Sequence, residues 1–572
     1  MFEGQLRGCL TDALMFMATR TRTGFSRNEE DGLVSQLETL KSQIAIAKSS
    51  GHRFDAPIEE LADQFDQSIQ NWLDVSGENL DAQKSRRLIL GGLRDWYVNW
   101  CIHRTESQLK YENEKAESTT KEIEVDDLHL SQDEAVRHKF SQIVTACSLR
   151  DIPGVYVLGC FDLKKTVHVQ QRRAVALVNA LIEFREISPT KKIAVIGGGF
   201  GGLSAAMSAF TVGASVKVFE RQSTLLPLQI RNTQRFLHPN FFDWPQNGSE
   251  DPNTRLPFLN WTADVASSVA DRVLQEFQSA QNTSNENGGS MEIELNTEIS
   301  DIEAALVPGR SEKVKISSRD SRVNEFFDIV FVAVGFGTER ERESAEGIRN
   351  YWDNDSLCQP TGFSADNPER VLISGTGDGA LIDAVRASLS CFDHASQASM
   401  LNSMLTESSI EELAQIEREA QNFSVSCPNI PFDFFGKYRN LFGDGFFSDE
   451  FGGKCYSERS VFLNHRTPEV FSLGSALSNR ILVYALIDAD VITLRRGNIY
   501  PKSLVRDEDG LFQIRWREGD SPESFHQVVV RHGTDLEYLR SNLPNVWEAA
   551  KGTTSVLRGL DLTSLLDNEL LF

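Results

Sequence analysis

Three glycines in one short segment have the spacing of a phosphate-binding turn. Gly197, Gly199 and Gly202 follow the apolar residues 193–196 and precede the helix-forming residues 203–210. The first glycine permits a tight turn, the second leaves room for a pyrophosphate, and the third allows the helix to pack closely on the strand. The helix then presents free N–H groups and the positive end of its dipole to the phosphates. This segment therefore predicts a site for a dinucleotide.

A carboxylate follows the next strand of the same unit. Residues 216–219 are predicted to form that strand, and Glu220 comes directly after it. A carboxylate at this position accepts hydrogen bonds from the ribose hydroxyls of an adenosine. Because strand, turn, helix, strand and acid occur in the expected order, we predict that the dinucleotide contacts Gly197, Gly199, Phe200, Gly201, Gly202, Glu220 and Arg221.

Residues 192–220 resemble the FAD-binding half of the flavoproteins that have two dinucleotide-binding domains. This superfamily contains the pyridine nucleotide-disulfide reductases and the class B flavin monooxygenases. Residues 327–337 are similar to the strand of the superfamily that would bring Gly335 near the flavin. The resemblance covers roughly residues 190–490 and implies that FAD is the cofactor.

A second glycine turn at residues 369–380 resembles the start of the nicotinamide-binding half of that superfamily. No second strand is evident after it, because residues 381–422 have apolar residues at helical spacings. The adenosine of NAD(P)H would then have no ribose partner. Two interpretations stay open: the turn binds NAD(P)H, or it completes the FAD sheet. The residues predicted for a nicotinamide nucleotide are Gly375, Gly377 and Asp378.

Two departures from the superfamily concern the flavin site itself. Residues 470–475 resemble its late strand, where Gly474 and Ser475 would contact the flavin. Ser475 stands where an aspartate is usual, so a carboxylate contact becomes a hydroxyl contact. Residues 223–229 stand where the superfamily often has a Gly-Gly pair.

The type of reaction is less well defined than the cofactor. Eight cysteines are scattered singly, with no Cys-x-x-Cys, so we do not expect the redox pair of a disulfide reductase. The monooxygenase signature Phe-x-Gly-x-x-x-His is also missing, since the nearest segment, residues 236–245, lacks its glycine. His238 in that segment could transfer protons, because histidine titrates near neutral pH. It could equally be a structural residue with its hydrogen bonds satisfied.

The sequence therefore predicts an FAD-dependent oxidoreductase that acts on a small molecule. It could be a NAD(P)H-dependent, monooxygenase-like enzyme or an oxidase of an amine or alcohol. The alternative is a flavin-bound interaction or signalling protein, in which the helical residues 1–103 bind a partner or a second copy of the chain.

Charge and composition argue against several other classes. The chain has 58 Lys plus Arg against 82 Asp plus Glu, a formal net charge of −24. Nucleic acids and anionic membranes both require clustered cations, so we expect neither as a partner. No apolar stretch is long enough to span a bilayer. Singly scattered cysteines are typical of a reducing compartment, which predicts a cytoplasmic protein.

We expect an α/β fold built on a Rossmann-like parallel sheet that binds FAD and NAD(P), with a helical region before it and a small α+β tail after it. The predicted segments are a helical domain at 1–103, a charged linker or helix at 104–150, an FAD-binding domain at 151–370 with an insertion at about 225–290, a mostly helical second glycine-turn segment at 371–465, a return to the FAD domain at 466–499 and a tail at 500–572.

Overall fold

The computed structural model describes residues 132–149, 151–159, 166–282, 289–305, 313–335, 338–339, 349–390, 392–427, 430–500, 504–516, 521–535 and 537–557. The helical domain predicted at 1–103 lies outside the described residues, as does most of the segment predicted at 104–150. Contacts divide the chain into two compact units, residues 1–128 with 415–432 and residues 129–414 with 433–572. All of the described sheets, and therefore both glycine turns, belong to the compact unit formed by residues 129–414 and 433–572.

The helices of the described residues, in chain order, are α1 (Gln132–Cys147), α2 (Val167–Glu183), α3 (Phe200–Thr211), α4 (Ala266–Asn282), α5 (Asp378–Ser388), α6 (Gln397–Met404), α7 (Glu407–Ser426), α8 (Phe434–Phe442), α9 (Leu477–Asp488), α10 (Glu537–Asn542) and α11 (Pro544–Leu557). Short 3₁₀ turns occur at Phe241–Asp243 and His394–Ser396.

The strands are β1 (Val155–Val157), β2 (Lys192–Ile196), β3 (Ser215–Phe219), β4 (Phe236–Leu237), β5 (Asp264–Val265), β6 (Met291–Glu294), β7 (Ile299–Ala305), β8 (Lys313–Ser318), β9 (Asn324–Phe327), β10 (Ile329–Val332), β11 (Thr338–Glu339), β12 (Glu369–Ser374), β13 (Arg459–His465), β14 (Ile492–Arg496), β15 (Phe512–Ile514), β16 (Glu523–Phe525), β17 (Gln527–Val530) and β18 (Thr534–Asp535).

The first sheet is parallel, with the strand order β1-β10-β2-β3-β6. Its strands β1, β10 and β2 are almost entirely apolar, as is usual where both faces of a parallel sheet are covered, whereas β3 and β6 include polar or charged residues. Side chains alternate across it: Ile193 and Val195 join the core beneath α2 and α3, whereas Ala194 and Ile196 face the antiparallel sheet β7-β8-β9 and the helices α10 and α11. This confirms the predicted parallel α/β sheet around the first glycine turn.

The second sheet is also parallel, with the order β14-β13-β12-β17. Helices α5 and α9 pack against each other and against this sheet. The hairpin β15-β16 contributes Phe512, Ile514 and Phe525 to the core on β17 and β12. The predicted return of residues 466–499 to the FAD domain is wrong, because α9 and β14 extend the second sheet. Residues 500–572 are not a separate tail either, since β17 is a strand of that sheet.

The second glycine turn does have a following strand, contrary to the prediction. That strand is β13, which pairs with β12 along its whole length. Helices α6, α7 and α8 lie between α5 and β13 in the sequence. Because this helical insertion separates β12 and α5 from β13, the local periodicity of the sequence cannot show that the two strands pair. Within the described ranges no helix is long and apolar enough to cross a membrane.

Candidate functional site

The first glycine turn leaves open space in front of α3. Gly197 has φ of +109°, and a Cβ there would lie 2.4 Å from the carbonyl oxygen of Ala333. A Cβ at Gly202 would lie 2.0 Å from the carbonyl oxygen of Gly197, so helix and turn touch at this point. A Cβ at Gly199 would meet nothing within 4 Å. Each glycine therefore has the steric surroundings that the phosphate-binding motif requires.

The N-terminus of α3 is not capped by a side chain. Gly199 is the N-cap residue, it makes no side-chain cap bond, and no acidic residue lies in the first turn. The first N–H groups of a helix have no partner within it and carry the positive end of the dipole. An anionic group in the space beside Gly199 would meet these donors directly.

Glu220 braces the glycine turn and still has acceptor capacity. It follows β3 and is only 6% exposed. Its Oε2 accepts a hydrogen bond from the backbone N–H of Gly198 at 2.7 Å, and its Oε1 accepts one from the N–H of Gln222 at 2.8 Å. Each carboxylate oxygen has a second lone pair, and Glu220 lines the cavity in front of the turn. It can therefore also accept hydrogen bonds from a ligand's hydroxyls.

The edge of the first sheet is formed by β1, which comes before the glycine turn in the sequence. The N–H of Leu158 donates to the carbonyl oxygen of Val332 at 2.9 Å, which continues the pairing of β1 with β10.

The predicted strand at residues 470–475 is wrong, because these residues form a turn before α9. Short buried apolar runs occur in loops as well as in strands, and Val470 and Phe471 are such a run.

The N-terminal turn of α2 adds a polar wall to the same cavity. Thr166, Val167 and Gln170 line it, and the Thr166 hydroxyl accepts from the N–H of Val169 at 3.2 Å. The side-chain amide of Gln170 lies against Gly159, where φ is +75° and a Cβ would approach the Gln170 Oε1 to 1.9 Å. Its Nε2 is buried and has no hydrogen-bond partner among the described residues. A donor of this kind is available for a ligand.

The second turn repeats the geometry of the first. Gly375 has φ of +131°, and a Cβ there would lie 2.2 Å from the carbonyl oxygen of Arg531. Gly377 is the uncapped N-cap of α5, and a Cβ there would meet nothing within 4 Å. Asp378 begins the helix, and its Oδ1 accepts from the N–H of Ala476 at 2.7 Å and from the Asn479 side-chain amide at 2.9 Å. A second uncapped helix N-terminus therefore faces open space.

The residues after β13 differ in charge from those after β3. Ile196 pairs with Phe219 in the first sheet, and Ser374 pairs with Asn464 in the second. His465 thus takes the register position of Glu220. Burial lowers the pKa of His465, with a further contribution from the Arg496 charge, so this position is neutral near pH 7.

Arg466 follows His465 and adds a cation beside the second turn. It is exposed and lines the cavity, and it has no hydrogen-bond or ion-pair partner among the described residues. Where the carboxylate of Glu220 follows β3, a guanidinium without a partner among the described residues follows the corresponding position of β13.

A hydrogen-bonded chain joins the carboxyl ends of the strands of the second sheet. The Ser374 hydroxyl donates its one proton to the Asn464 Oδ1 at 2.8 Å. The Ser374 Oγ also lies 2.8 Å from His532 Nε2, and because its proton is already used, His532 Nε2 is the donor in this second hydrogen bond. The Asn464 amide donates to the carbonyl oxygens of Arg495 and Gly497. Ser374, Asn464 and His532 were not predicted as site residues. Their only signal is that polar residues directly follow apolar strands.

Both glycine turns open into one cavity of about 1630 Å³. The predicted residues that line it are Gly197, Gly199, Phe200, Gly201, Glu220, Arg221, Gly335, Gly375, Gly377, Asp378, Gly474 and His238. Gly202 and Ser475 do not line it. Gly474 comes two residues before Ala476, whose N–H donates to Asp378 at the second turn. Among the described residues no group of three or more His, Cys, Asp or Glu could hold a metal ion.

Two histidines stand in the wall between the turns. The His238 Nδ1 accepts hydrogen bonds from the N–H groups of Asn240 and Phe241 at 3.2 and 3.0 Å, so in the neutral ring the proton is on Nε2. Burial lowers the pKa of His238, although Asp251 and Glu250 oppose the shift. Burial, with the charges of Arg386 and Arg235, lowers the pKa of His394 to about 3. Both rings are neutral near pH 7, and a proton-transfer role for His238 stays a prediction.

No protein-family model matches the chain, and no curated protein matches it. Among solved structures it is similar to the bacillithiol disulfide reductase Bdr from Staphylococcus aureus (11% identity, 62% of this chain and 80% of that one, TM-score 0.31). It is also similar to a thioredoxin reductase from Lactococcus lactis (11%, 66% and 99%, 0.28) and to a cyclohexanone monooxygenase mutant from Rhodococcus bound to NADP⁺ (13%, 62% and 74%, 0.29).

All three TM-scores are below 0.5, so the fold class is defined by the strand order and the turns of this chain itself. Two parallel sheets each place an open glycine turn at the carboxyl end of a central strand, before an uncapped helix. This is the architecture of a protein with two dinucleotide-binding units in one chain, as the sequence resemblance implied.

Proposed function

We propose that the protein is an FAD-dependent oxidoreductase whose flavin is reduced by NADPH. The observation that carries this proposal is the pair of matching glycine turns, which open into one cavity of about 1630 Å³. A small-molecule site usually measures about 300–1,000 Å³, so this cavity has room for more than one ligand. Two nucleotides held at these helix N-termini would extend into the same cavity, where their reactive rings could meet.

The residues of the first dinucleotide-binding unit, which is built on the first sheet, fit FAD. Gly199 leaves space for a pyrophosphate in front of α3, and Glu220 retains lone pairs for ribose hydroxyls. The buried Nε2 of Gln170 is a donor without a protein partner, suited to a carbonyl of the flavin ring. When bound, FAD would supply the redox chemistry, accepting a hydride and passing it on. The protein binds and orients the cofactor and shields it from water.

The residues of the second dinucleotide-binding unit, which is built on the second sheet, favour NADPH over NADH. A carboxylate after the second strand binds the ribose 2′-hydroxyl of NADH, whereas an arginine accommodates the 2′-phosphate of NADPH. Here the neutral His465 and the unpaired Arg466 stand at that place. Arg466 would form a charge-assisted hydrogen bond with the phosphate. Gly474 lies on this side of the cavity, and we assign it to the nicotinamide nucleotide.

We further propose that the substrate is not a disulfide. A disulfide reductase needs a redox-active cysteine pair beside its flavin. The cysteines of the described residues are Cys147, Cys358, Cys427 and Cys455, and none of them lines the cavity. Cys9, Cys101, Cys160 and Cys391 lie outside the described residues. In this proposal the acceptor or donor is oxygen or an organic small molecule.

Anaerobic reduction of the purified protein tests the proposal. We expect a flavin absorption spectrum that NADPH bleaches much faster than NADH does. Oxygen is then admitted. Rapid reoxidation of the flavin by oxygen would indicate a monooxygenase-like cycle, whereas a flavin that stays reduced until an organic acceptor is added would indicate transfer to that acceptor. Bleaching by neither nucleotide would rule out the NADPH-dependent function and leave an oxidase or a protein that uses FAD without catalysis.

A further inference from the structure

We infer that a buried cluster of five charged side chains fixes the orientation of the two dinucleotide-binding units, and that Arg235 is the positioning residue that joins them. The charge cluster consists of Arg235, Asp355, Asp383, Arg386 and Arg531. Its consequence for hydride transfer rests on the proposed function, whereas the structural part of the inference does not. Electron transfer would then occur in one arrangement, without rotation of one unit against the other.

The members of the charge cluster come from distant parts of the fold. Arg235 directly precedes β4, in the insertion of the first unit. Asp383 and Arg386 are on α5 of the second unit, and Arg531 directly follows β17 of its sheet. Asp355 lies in the segment that connects the units. The cluster therefore bridges the two sheets rather than stabilising either sheet alone.

The charges are shielded from water and paired with one another. Arg235, Asp383 and Arg386 are at most 1% exposed. Asp383 Oδ2 accepts from Arg235 Nη2 at 3.1 Å and from Arg531 Nε at 2.9 Å, while its Oδ1 accepts from Arg235 Nη1 and from Arg386 Nη1. One carboxylate from the second unit thus holds a guanidinium from the first.

Asp355 is the second anion of the charge cluster and pairs with Arg386. Its two oxygens accept from Arg386 Nη1 at 2.8 Å and Nη2 at 2.9 Å, a bidentate pair, and Arg235 Nη2 lies 3.5 Å from it. Three cations then face two anions. Buried charges are tolerated only when they are paired and hydrogen-bonded, so pulling Arg235 away would leave Asp383 and Arg235 both less well compensated.

The backbone around Arg235 is tied to the connecting segment as well. Arg235 Nε donates to the carbonyl oxygen of Tyr351 at 2.7 Å, and its guanidinium lies 3.9 Å from the centre of the Tyr351 ring. Asn232 Nδ2 donates to the carbonyl oxygen of Trp352 at 2.7 Å, and its Oδ1 accepts from the N–H groups of Gln234 and Arg235. Rotation of the units would have to break this set of bonds together.

The cavity makes such a rotation unnecessary. Gly199 of the first turn and Gly377 of the second line the same cavity in this fixed arrangement. The reactive rings of two bound nucleotides can therefore meet without a change in the relative orientation of the units. In an enzyme of this kind, the orientation set by the charge cluster controls the rate of hydride transfer but not the affinity for either nucleotide.

A distance measurement between the two units tests the inference. Spin labels on non-canonical residues at the exposed positions Gln278 and Glu508 report on the first and second unit respectively. We expect one narrow distance distribution in the wild type, unchanged by NADPH, and a broadened one in Arg235→Met. A wild-type distance that shifts when NADPH binds would overturn the inference, whether or not the variant folds.

Kinetics of the same variant separate positioning from folding. Arg235→Met should retain FAD and bind NADPH with unchanged affinity, but flavin reduction should slow by about a hundredfold, since a misplacement of about 1 Å can cost that much. Arg255→Met is the matched control, an exposed arginine of the same insertion, and should behave as the wild type. Unchanged reduction and an unchanged distance in Arg235→Met would refute the role of this residue.

The two proposals fail in different ways. If neither NADPH nor NADH reduces the wild-type flavin, the proposed function is wrong, but the distance distributions of the unliganded wild type and of Arg235→Met still decide whether the charge cluster fixes the units. If reduction occurs and the wild-type distance changes with NADPH, the function stands and the fixed orientation does not.

Discussion

The second glycines of the two turns, Gly199 and Gly377, have equivalent surroundings. Each is the N-cap residue of a helix, has extended backbone angles and makes no side-chain cap hydrogen bond. A Cβ at either position would meet nothing within 4 Å. Aspartate is a favoured N-cap residue, so a substitution to aspartate at either position should change the stability of the unliganded protein by less than about 0.5 kcal/mol. Its negative charge would instead exclude a pyrophosphate.

We therefore predict that Gly199→Asp loses the bound flavin while Gly377→Asp keeps it and loses reduction by NADPH. The yellow absorbance per chain, a thermal melt of the unliganded protein and an anaerobic NADPH titration give the three readouts. Each variant serves as the control for the other. A full flavin spectrum in Gly199→Asp would refute the assignment of the first turn to FAD.

In the proposed function, Arg466 carries the preference for the phosphorylated nucleotide. Arg466→Ala should weaken NADPH binding by about 10- to 100-fold, because a hydrogen bond to a charged group contributes about 1.5–3 kcal/mol, and should leave NADH binding nearly unchanged. Dissociation constants from flavin-quenching titrations measure both. Arg515→Ala removes an exposed arginine that does not line the cavity and should alter neither. Equal loss of both nucleotides in Arg466→Ala would contradict a role in selecting the 2′-phosphate.

Among the elements, β1 shows how the first sheet is completed. Val155 is 1% exposed and pairs with Val330 at the edge of the sheet. Val155→Ala should lower the free energy of unfolding by about 2 kcal/mol, the loss of buried methyl groups plus a small cavity. Chemical denaturation monitored by circular dichroism measures it. Val505→Ala, at a position 70% exposed, is the control. No loss in Val155→Ala would mean that β1 is not an integral strand.

The elements around the first turn could be predicted because they are local. The apolar run of β2, the glycines, α3, β3 and Glu220 follow one another without interruption, and each has its own signal in the sequence. The strand β10, followed by Gly335, was also predicted. Within the candidate site, the predicted residues around Gly199 and Gly377 line one cavity.

The pairing of distant strands could not be predicted in the same way. Strand β13 follows α5 only after a long helical insertion, and β1 is separated in the sequence from its partner β10 by all of β2 to β9. Parallel strands are joined by crossovers of about a dozen residues or many more, so a single sequence shows that a strand exists but not which strand it pairs with. For the same reason Arg466, His532 and the charge cluster had no recognisable spacing.

At the scale of the whole molecule, the charge cluster also links stability to pH. Burial alone would raise the pKa of Asp383, but the charges of Arg235 and Arg531 lower it from 3.8 to about 2. A carboxyl whose pKa is lower in the folded state stabilises the fold fully above its unfolded pKa. That stability is lost as the pH falls through the folded pKa.

We predict that this contribution is complete above about pH 4 and that about 2 kcal/mol of unfolding free energy is lost between about pH 4 and 2. Urea unfolding at a series of pH values measures the loss. Asp383→Asn should be less stable at neutral pH and should lack this part of the acid dependence. Asp449→Asn, at an exposed position, should follow the wild-type curve. Parallel curves for Asp383→Asn and the wild type would show that Asp383 is not the responsible group.

The order of the strands along the chain has a consequence for synthesis on the ribosome. All strands of the first sheet have emerged by Val332, whereas the second sheet needs β17, made almost two hundred residues later. Chains fold from the N-terminal side as they are made, so the first sheet can form while the second is still incomplete. The late helices α10 and α11 then cover one face of that early sheet. Arg531 follows β17, so the charge cluster closes only after both sheets exist.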